Sequence, residues 1–353
     1  EYRNLKKRGK IMTENLIAFI SAVIISFVMT PLARRLAIRV GALDVPKETR
    51  KIHIKPMPYF GGLAIYVAII ACMFVYMPHN STNYHIMAGA TVIMLTGVVD
   101  DMYGMPARIK LIIQILAALI AIRGGVQIHF ITNPLSKTGM SYLFTWLSFV
   151  ITLLWIVGIT NTINLIDGLD GLASGVASIA ATTLLFTAAR LGHDFIVMQC
   201  AIIAGASLGF LPFNFNPAKI FMGDTGSLLL GYMLAVTSVS GMVKSVAAVA
   251  LAVPVFALGL PILDTAFAII RRYINKKPIM QADKEHLHHK LMKFGLNQRQ
   301  TVLVMYFVSM LLGIVAVIIA DTDPFIGLTV ATIVVIVAFL SAKKAGFFIR
   351  KEQ

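Results

Sequence analysis

Charge is what this chain has least of. Asp, Glu, Lys and Arg make up 13% of its 353 residues, hydrophobic residues make up 58%, and the mean hydropathy is +0.82. A soluble domain of this length needs far more polar surface to cover its core, so soluble globular classes are excluded. Cysteine is almost missing. Cys72 and Cys200 each sit inside an apolar run, so no disulfide framework and no redox compartment follow. The glycine-rich nucleotide fingerprints GxxxxGKS/T and GxGxxG do not occur. Acids are scarce even beside bases, 16 against 31, giving a net charge of +15. In so apolar a chain that excess marks the loops of one membrane face and contact with anionic membrane lipid. It does not indicate a nucleic-acid surface.

What remains is apolar sequence in runs of about spanning length. Eleven can be read, at 15–38, 60–77, 86–99, 109–122, 143–160, 172–189, 195–211, 227–240, 246–270, 302–320 and 325–342. They are continuous rather than alternating, which argues against a β-barrel. The expected fold is an all-α, polytopic transmembrane bundle of about eleven spans, with a tail at 1–14, one domain over 15–342 and a second tail at 343–353. With the loop after the first run placed inside, 22 of the 31 Lys and Arg residues fall on the inner side. That bias predicts an N-terminus outside and a cytoplasmic C-terminus. The basic stretch EYRNLKKRGKI cuts against it, unless that stretch is processed or not native.

The same alternation gathers the acids on the inner side. VVDDMYG places Asp100 and Asp101 at the end of a run, where the helix macrodipole is already negative and adjacent carboxylates repel. They need a cation, either a divalent metal or a lysine such as Lys110. NTINLIDGLDG spaces Asn161, Asn164 and Asp167 three apart, on one face of a helix, and Asp170 extends the stripe if the helix persists. The plainer reading is a polar turn between helices. FNFNPAKIFMGDTGS offers Asp224 as a helix N-cap or as a Mg²⁺ ligand, with Phe221 able to stack on a base and Asn214 to hydrogen-bond one. Asp264, in LDTAFAIIRR, precedes His286, His288 and His289 in a basic loop. HxHH without a nearby cysteine is a poor zinc signature, so contact with a diphosphate is preferred to zinc or to a solvated loop. KIHIKPMPYFGG adds His53 and Lys55, suited to a phosphate or, as plainly, to anchoring at the inner face. A cation-coupled transporter is the rival from another class; its acids belong at mid-span and on both sides, whereas these crowd one face.

Together DD at 100–101, NxxNxxDGLDG at 161–171, FMGDTGS at 221–227 and HxHH at 286–289 resemble the polyprenyl-phosphate hexosamine-1-phosphate transferases. That family includes the enzymes that start enterobacterial common antigen, O-antigen and wall teichoic acid, and it is related to the phospho-MurNAc-pentapeptide transferase. The resemblance spans about 15–340, and the spaced HLHH is similar to the hexosamine branch. It implies a bacterial plasma-membrane enzyme with a cytoplasm-facing site, which converts UDP-GlcNAc and undecaprenyl phosphate to undecaprenyl-diphospho-GlcNAc and UMP. It implies Mg²⁺, with Mn²⁺ as a substitute, and leaves a homodimer open. By resemblance Asp224 binds the metal with Asp101, Asp100 is the base or nucleophile, and Lys110 helps neutralise charge. Lys55, Asn161, Asn164, Asp167, Asp170, Asn214 and Phe221 then belong to the nucleotide site, and His286, His288 and His289 to the sugar-phosphate; Asp264 and His53 are further candidates. The pentapeptide-transferase activity is the rival on the same fold.

Overall fold

The computed structural model describes residues 2–44, 56–132, 140–243, 252–274, 286–320, 322 and 324–344. In chain order the helices are α1 (Tyr2–Val40), α2 (Gly61–Tyr76), α3 (Ser81–Tyr103), α4 (Ala107–Arg123), α5 (Thr145–Ile166), α6 (Leu172–Arg190) and α7 (Asp194–Asn214). There follow α8 (Gly223–Val243), α9 (Ala252–Ala257), α10 (Gly259–Ile274), α11 (Leu287–Lys293), α12 (Gln298–Ile319) and α13 (Pro324–Lys344). Two small antiparallel ribbons interrupt them: β1 (Leu43–Asp44) with β2 (Met57–Pro58), and β3 (Phe130–Thr132) with β4 (Met140–Tyr142). Among the described residues, six helices are long and apolar enough to cross a membrane: the Ile11–Val40 part of α1, then α3, α5, α6, α7 and α12. The protein is an all-α, multi-pass membrane protein.

The bundle is built around α8. From Thr225 to Ser240 every residue of that helix is buried, as expected of a helix that is apolar all round. α2, α3, α5, α6 and α7 all pack against it. α1 lies outside this layer along α7, where a Cβ at Gly205 or Gly209 would lie 2.5 or 2.3 Å from the α1 carbonyls of Phe19 and Val23. Close backbone approach through small residues is how helices associate without a hydrophobic driving force. The opposite face of α1 exposes Leu16, Ile20, Ile24 and Phe27, the pattern of a lipid-facing surface.

Three boundaries differ from the sequence reading. α1 begins at Tyr2, so the basic tail runs directly into the first span. α5 continues to Ile166, which makes Asn161 and Asn164 helical, and it stops at Asp167, so the stripe does not carry on to Asp170. The run at 246–270 is not one helix among the described residues. α9 ends at Ala257 and α10 starts at Gly259. Pro261 explains the break: it has no N–H to offer the Ala257 carbonyl four residues back. α10 is amphipathic, burying Asp264, Ala268, Arg271 and Arg272 on one stripe.

Candidate active site

α3 and α5 end where α4, α6 and α8 begin, and the acids meet there. Lys110, in the first turn of α4, donates from Nζ to Asp100 Oδ2 at 2.9 Å and to Asp224 Oδ2 at 2.6 Å. Lys110 thus supplies one positive charge between Asp100 and Asp224. Asn164 donates from Nδ2 to Asp224 Oδ1 at 3.1 Å and to Ser227 Oγ at 2.8 Å, tying α5 to α8. Asp101 has a different task. Its carboxylate accepts the N–H groups of Asp224 (2.8 Å) and Thr225 (3.2 Å) and the Thr225 hydroxyl (2.6 Å). It is an N-cap for α8 supplied by another helix, answering both the orphan donors and the positive dipole end. Gly223 makes this possible: its φ is +72°, and a Cβ there would lie 2.3 Å from Asp101 Oδ2. The start of α2 is locked to the same turn, with Gly61 N–H donating to Phe221 O and Gly62 N–H to Met222 O, each at 3.0 Å.

A cavity of about 730 Å³ opens at this point, with Asp100, Asp101, Asp167, Asp170, Phe221 and Asp224 in its wall. Asp167 is half-buried and meets no side-chain partner among the described residues. Burial, and then Asp224, Asp101 and Asp170, hold its pKa well above the usual carboxylate range. Asp170 accepts from Asn216 Nδ2 at 3.0 Å and from the Ala218 N–H at 3.1 Å, so it shapes the opposite wall. Asn214 also borders the cavity, but its amide is engaged: it accepts from the Gly171 N–H and the Ser174 hydroxyl and donates to Ile220 O, each at 3.1 Å. Asn161 is turned away. It exchanges hydrogen bonds with Gln114 of α4 and donates to Val157 O at 2.8 Å, forming an interhelical clasp beneath the cavity.

The histidines are packed rather than solvated. Buried Asp264 accepts from His286 Nδ1 at 2.8 Å and from the Leu287 N–H at 2.7 Å, which staples the motif to α10. His288 is 1% exposed and lies over Gly168, where a Cβ would come within 2.6 Å of its Nε2. Burial, with help from the neighbouring His289, pushes its pKa down to about 3. Only His289 of the three borders the cavity. Lys55 and His53 lie outside the described residues. The structure adds cavity residues that sequence reasoning passed over: Asp44, Tyr59, Asn216 and Gln298. Asp44 and Tyr59 flank the basic loop that carries His53 and Lys55, and nothing in the sequence pairs them with residues beyond 160.

Asp100, Asp101 and Asp224 can each offer one oxygen, all within 4.8 Å of one another. A set of hard carboxylate oxygens fits Mg²⁺ or Mn²⁺ and not a thiolate-seeking metal. Residues 83–242 match the family profile described as Glycosyl transferase family 4. A Bacillus subtilis protein named probable undecaprenyl-phosphate N-acetylglucosaminyl 1-phosphate transferase is 40% identical over 336 residues, covering 95% of this chain and 93% of the relative. The chain belongs to this family of polyprenyl-phosphate sugar-1-phosphate transferases. A Mycobacterium tuberculosis family member, decaprenyl-phosphate N-acetylglucosaminephosphotransferase, is 36% identical, covering 87% of this chain and 82% of its own length. The phospho-N-acetylmuramoyl-pentapeptide-transferase of Staphylococcus carnosus is 30% identical, covering 85% and 96%. Both N-acetylglucosamine-phosphate transferases are thus more identical to this chain than the pentapeptide transferase is.

Proposed function

We propose that this protein transfers GlcNAc-1-phosphate from UDP-GlcNAc to undecaprenyl phosphate at the cytoplasmic face of a bacterial plasma membrane. The observation that carries this reading is the joining of Asp100, Asp224, Lys110 and Asn164 into one cluster at a cavity on an apolar bundle, in a chain 40% identical to the Bacillus relative. In the reaction an oxygen of the lipid phosphate attacks the sugar-bearing phosphorus. The bond from that phosphorus to the bridging oxygen breaks, and UMP leaves with the oxygen. Both reactants are anions, so the protein's work is placement and charge neutralisation. Asp100, Asp101 and Asp224 are the residues to hold Mg²⁺, which supplies positive charge beside the diphosphate when bound. Lys110, which holds two of the same oxygens, would give them up to the metal and add its positive charge beside the diphosphate instead. Asn164, Asp167, Asp170 and Phe221 form the nucleotide side, with Asn214 fixing the loop behind them. A phosphate monoester is largely dianionic at neutral pH, its second pKa being about 6, so Asp100 acts by positioning the nucleophile rather than by deprotonating it. About eleven passes with a cytoplasmic C-terminus, a reading that the excess of Lys and Arg in the inner loops supports, put the cluster where cytosolic nucleotide and membrane lipid meet. Purified protein given UDP-GlcNAc and undecaprenyl phosphate is expected to release UMP in a Mg²⁺-dependent manner and to lose this in Asp224→Ala. Turnover of UDP-MurNAc-pentapeptide in place of UDP-GlcNAc would move the chain to the rival branch.

A further inference from the structure

Tyr59 borders the cavity and has been given no role so far. Its backbone is fixed on every side. The Tyr59 N–H donates to Ala42 O at 3.0 Å, and the preceding Pro58 carbonyl accepts from the Phe221 N–H at 2.9 Å. The following residue, Phe60, has φ +76° and is 3% exposed, packed with Ala37 and Ala42. Among the described residues Phe60 is the one non-glycine with positive φ. Such a conformation costs about 1–3 kcal/mol, persists only where the surroundings impose it, and gathers at functional sites. Here it turns the chain so that the Tyr59 ring stands over the cavity, 6.1 Å from the Phe221 ring and tilted 52° to it.

The donors around the acid cluster are mostly spent on the protein itself. Asn164 gives its amide hydrogens to Asp224 and Ser227, Thr225 gives its hydroxyl to Asp101, and Lys110 bridges Asp100 and Asp224. The Tyr59 hydroxyl makes no hydrogen bond among the described residues, although it feels the charge of Asp101, Asp224, Asp167 and Asp100. Burial, then those four carboxylates, push its pKa up to about 12, so it stays a donor wherever phosphates are anionic.

We infer that Tyr59 is a substrate-binding residue whose phenol O–H donates to a phosphate oxygen, either of the nucleotide-sugar diphosphate or of the lipid phosphate. This rests on the proposed transferase reading and adds to it a neutral donor in a ring of acids. Tyr59→Phe keeps the ring against Phe221 and removes only the donor. A hydrogen bond to a charged acceptor predicts a fall of about tenfold in kcat/KM, carried by KM. A raised KM for UDP-GlcNAc assigns the bond to the diphosphate, and a raised KM for undecaprenyl phosphate assigns it to the lipid. Both KM values within twofold of wild type overturn the inference. If wild-type protein releases no UMP, the transferase reading fails separately. Calorimetric binding of UDP and of undecaprenyl phosphate, with uridine as the phosphate-free control, then decides. Weaker binding of either phosphate by Tyr59→Phe, with uridine unchanged, supports the phenol; equal binding of both refutes it.

Discussion

Replacing Lys110 by methionine removes the ammonium that bridges Asp100 and Asp224 while keeping most of the side-chain length. A metal ion taking the same two oxygens sits at about 2.0–2.1 Å from them. The ammonium already lies 2.9 and 2.6 Å from those atoms, so the two cations compete for one place. The three side chains are 21%, 13% and 25% exposed, so solvent screens the pairs only in part. Each hydrogen bond to a charged group contributes about 1.5–3 kcal/mol, and the freed ammonium recovers part of the sum from water. A net competition of about 1.5–3 kcal/mol corresponds to roughly 10- to 100-fold in metal affinity. Lys110→Met is therefore expected to bind Mn²⁺ about tenfold or more tightly without substrate, read by paramagnetic resonance or calorimetry in detergent. Its UMP release is expected to fall, because a positive charge beside the diphosphate is gone. The two effects have opposite signs, which a simple loss of fold does not give. Unchanged or weaker Mn²⁺ binding in a folded Lys110→Met protein refutes the shared-place argument.

Gly223→Ala places a Cβ against the Asp101 carboxylate at a left-handed position; the backbone cost of about 1 kcal/mol plus the disturbed cap should lower the melting temperature measurably and depress activity. Asp101→Asn and Asp264→Asn, which weaken acceptors of backbone N–H groups in other elements, should lower the melting temperature; Asp167→Asn, whose side chain meets no partner among the described residues and whose charge burial and the neighbouring acids disfavour, should hold or raise it while raising KM for the nucleotide sugar. His288 has a pKa of about 3 when folded and an ordinary histidine value when unfolded. The unfolded chain therefore takes up the proton first, and stability is full above pH about 6.5 and declines from there toward pH 3. Its ring sits among His286, His289 and Asp264, so melting curves of His288→Asn against wild type over that window isolate its share; equal acid sensitivity in both would show that His288 is not its source.

Much of the site was legible because its chemistry is local in sequence. The pairing of Asp100 with Asp101 demands a counter-charge, and Lys110 lies ten residues on, one helix away. The class of protein follows from the apolar runs alone. What was not legible are partners set by helix packing. Asn161 and Asn164 share a helix face and look alike in sequence, yet Asn161 meets Gln114 while Asn164 meets Asp224. Their difference depends on how α5 leans between α4 and α8, which no spacing rule encodes. The single run at 246–270 misled because hydropathy does not register Pro261 as a break. Tyr59 stayed hidden because its position depends on Phe60 taking a backbone conformation that a bulky residue rarely adopts.

The acids divide their labour in a way that explains why so apolar a chain keeps them together. α8 is the buried axis of the bundle, and its first turn exposes N–H groups that nothing apolar can satisfy. Asp101 meets that need, and so brings negative charge to the helix end where Asp224 already stands. Asp100, adjacent in sequence, is carried along, and the cluster becomes self-repelling unless a cation joins it. Lys110 supplies one through α4, and the oxygens it holds are the ones that a metal ion needs. On the proposed transferase reading, anionic phosphates enter the cavity only when this ring is neutralised. That reading predicts that cation occupancy and substrate binding are coupled, with the coupling originating in the requirement to cap one buried helix.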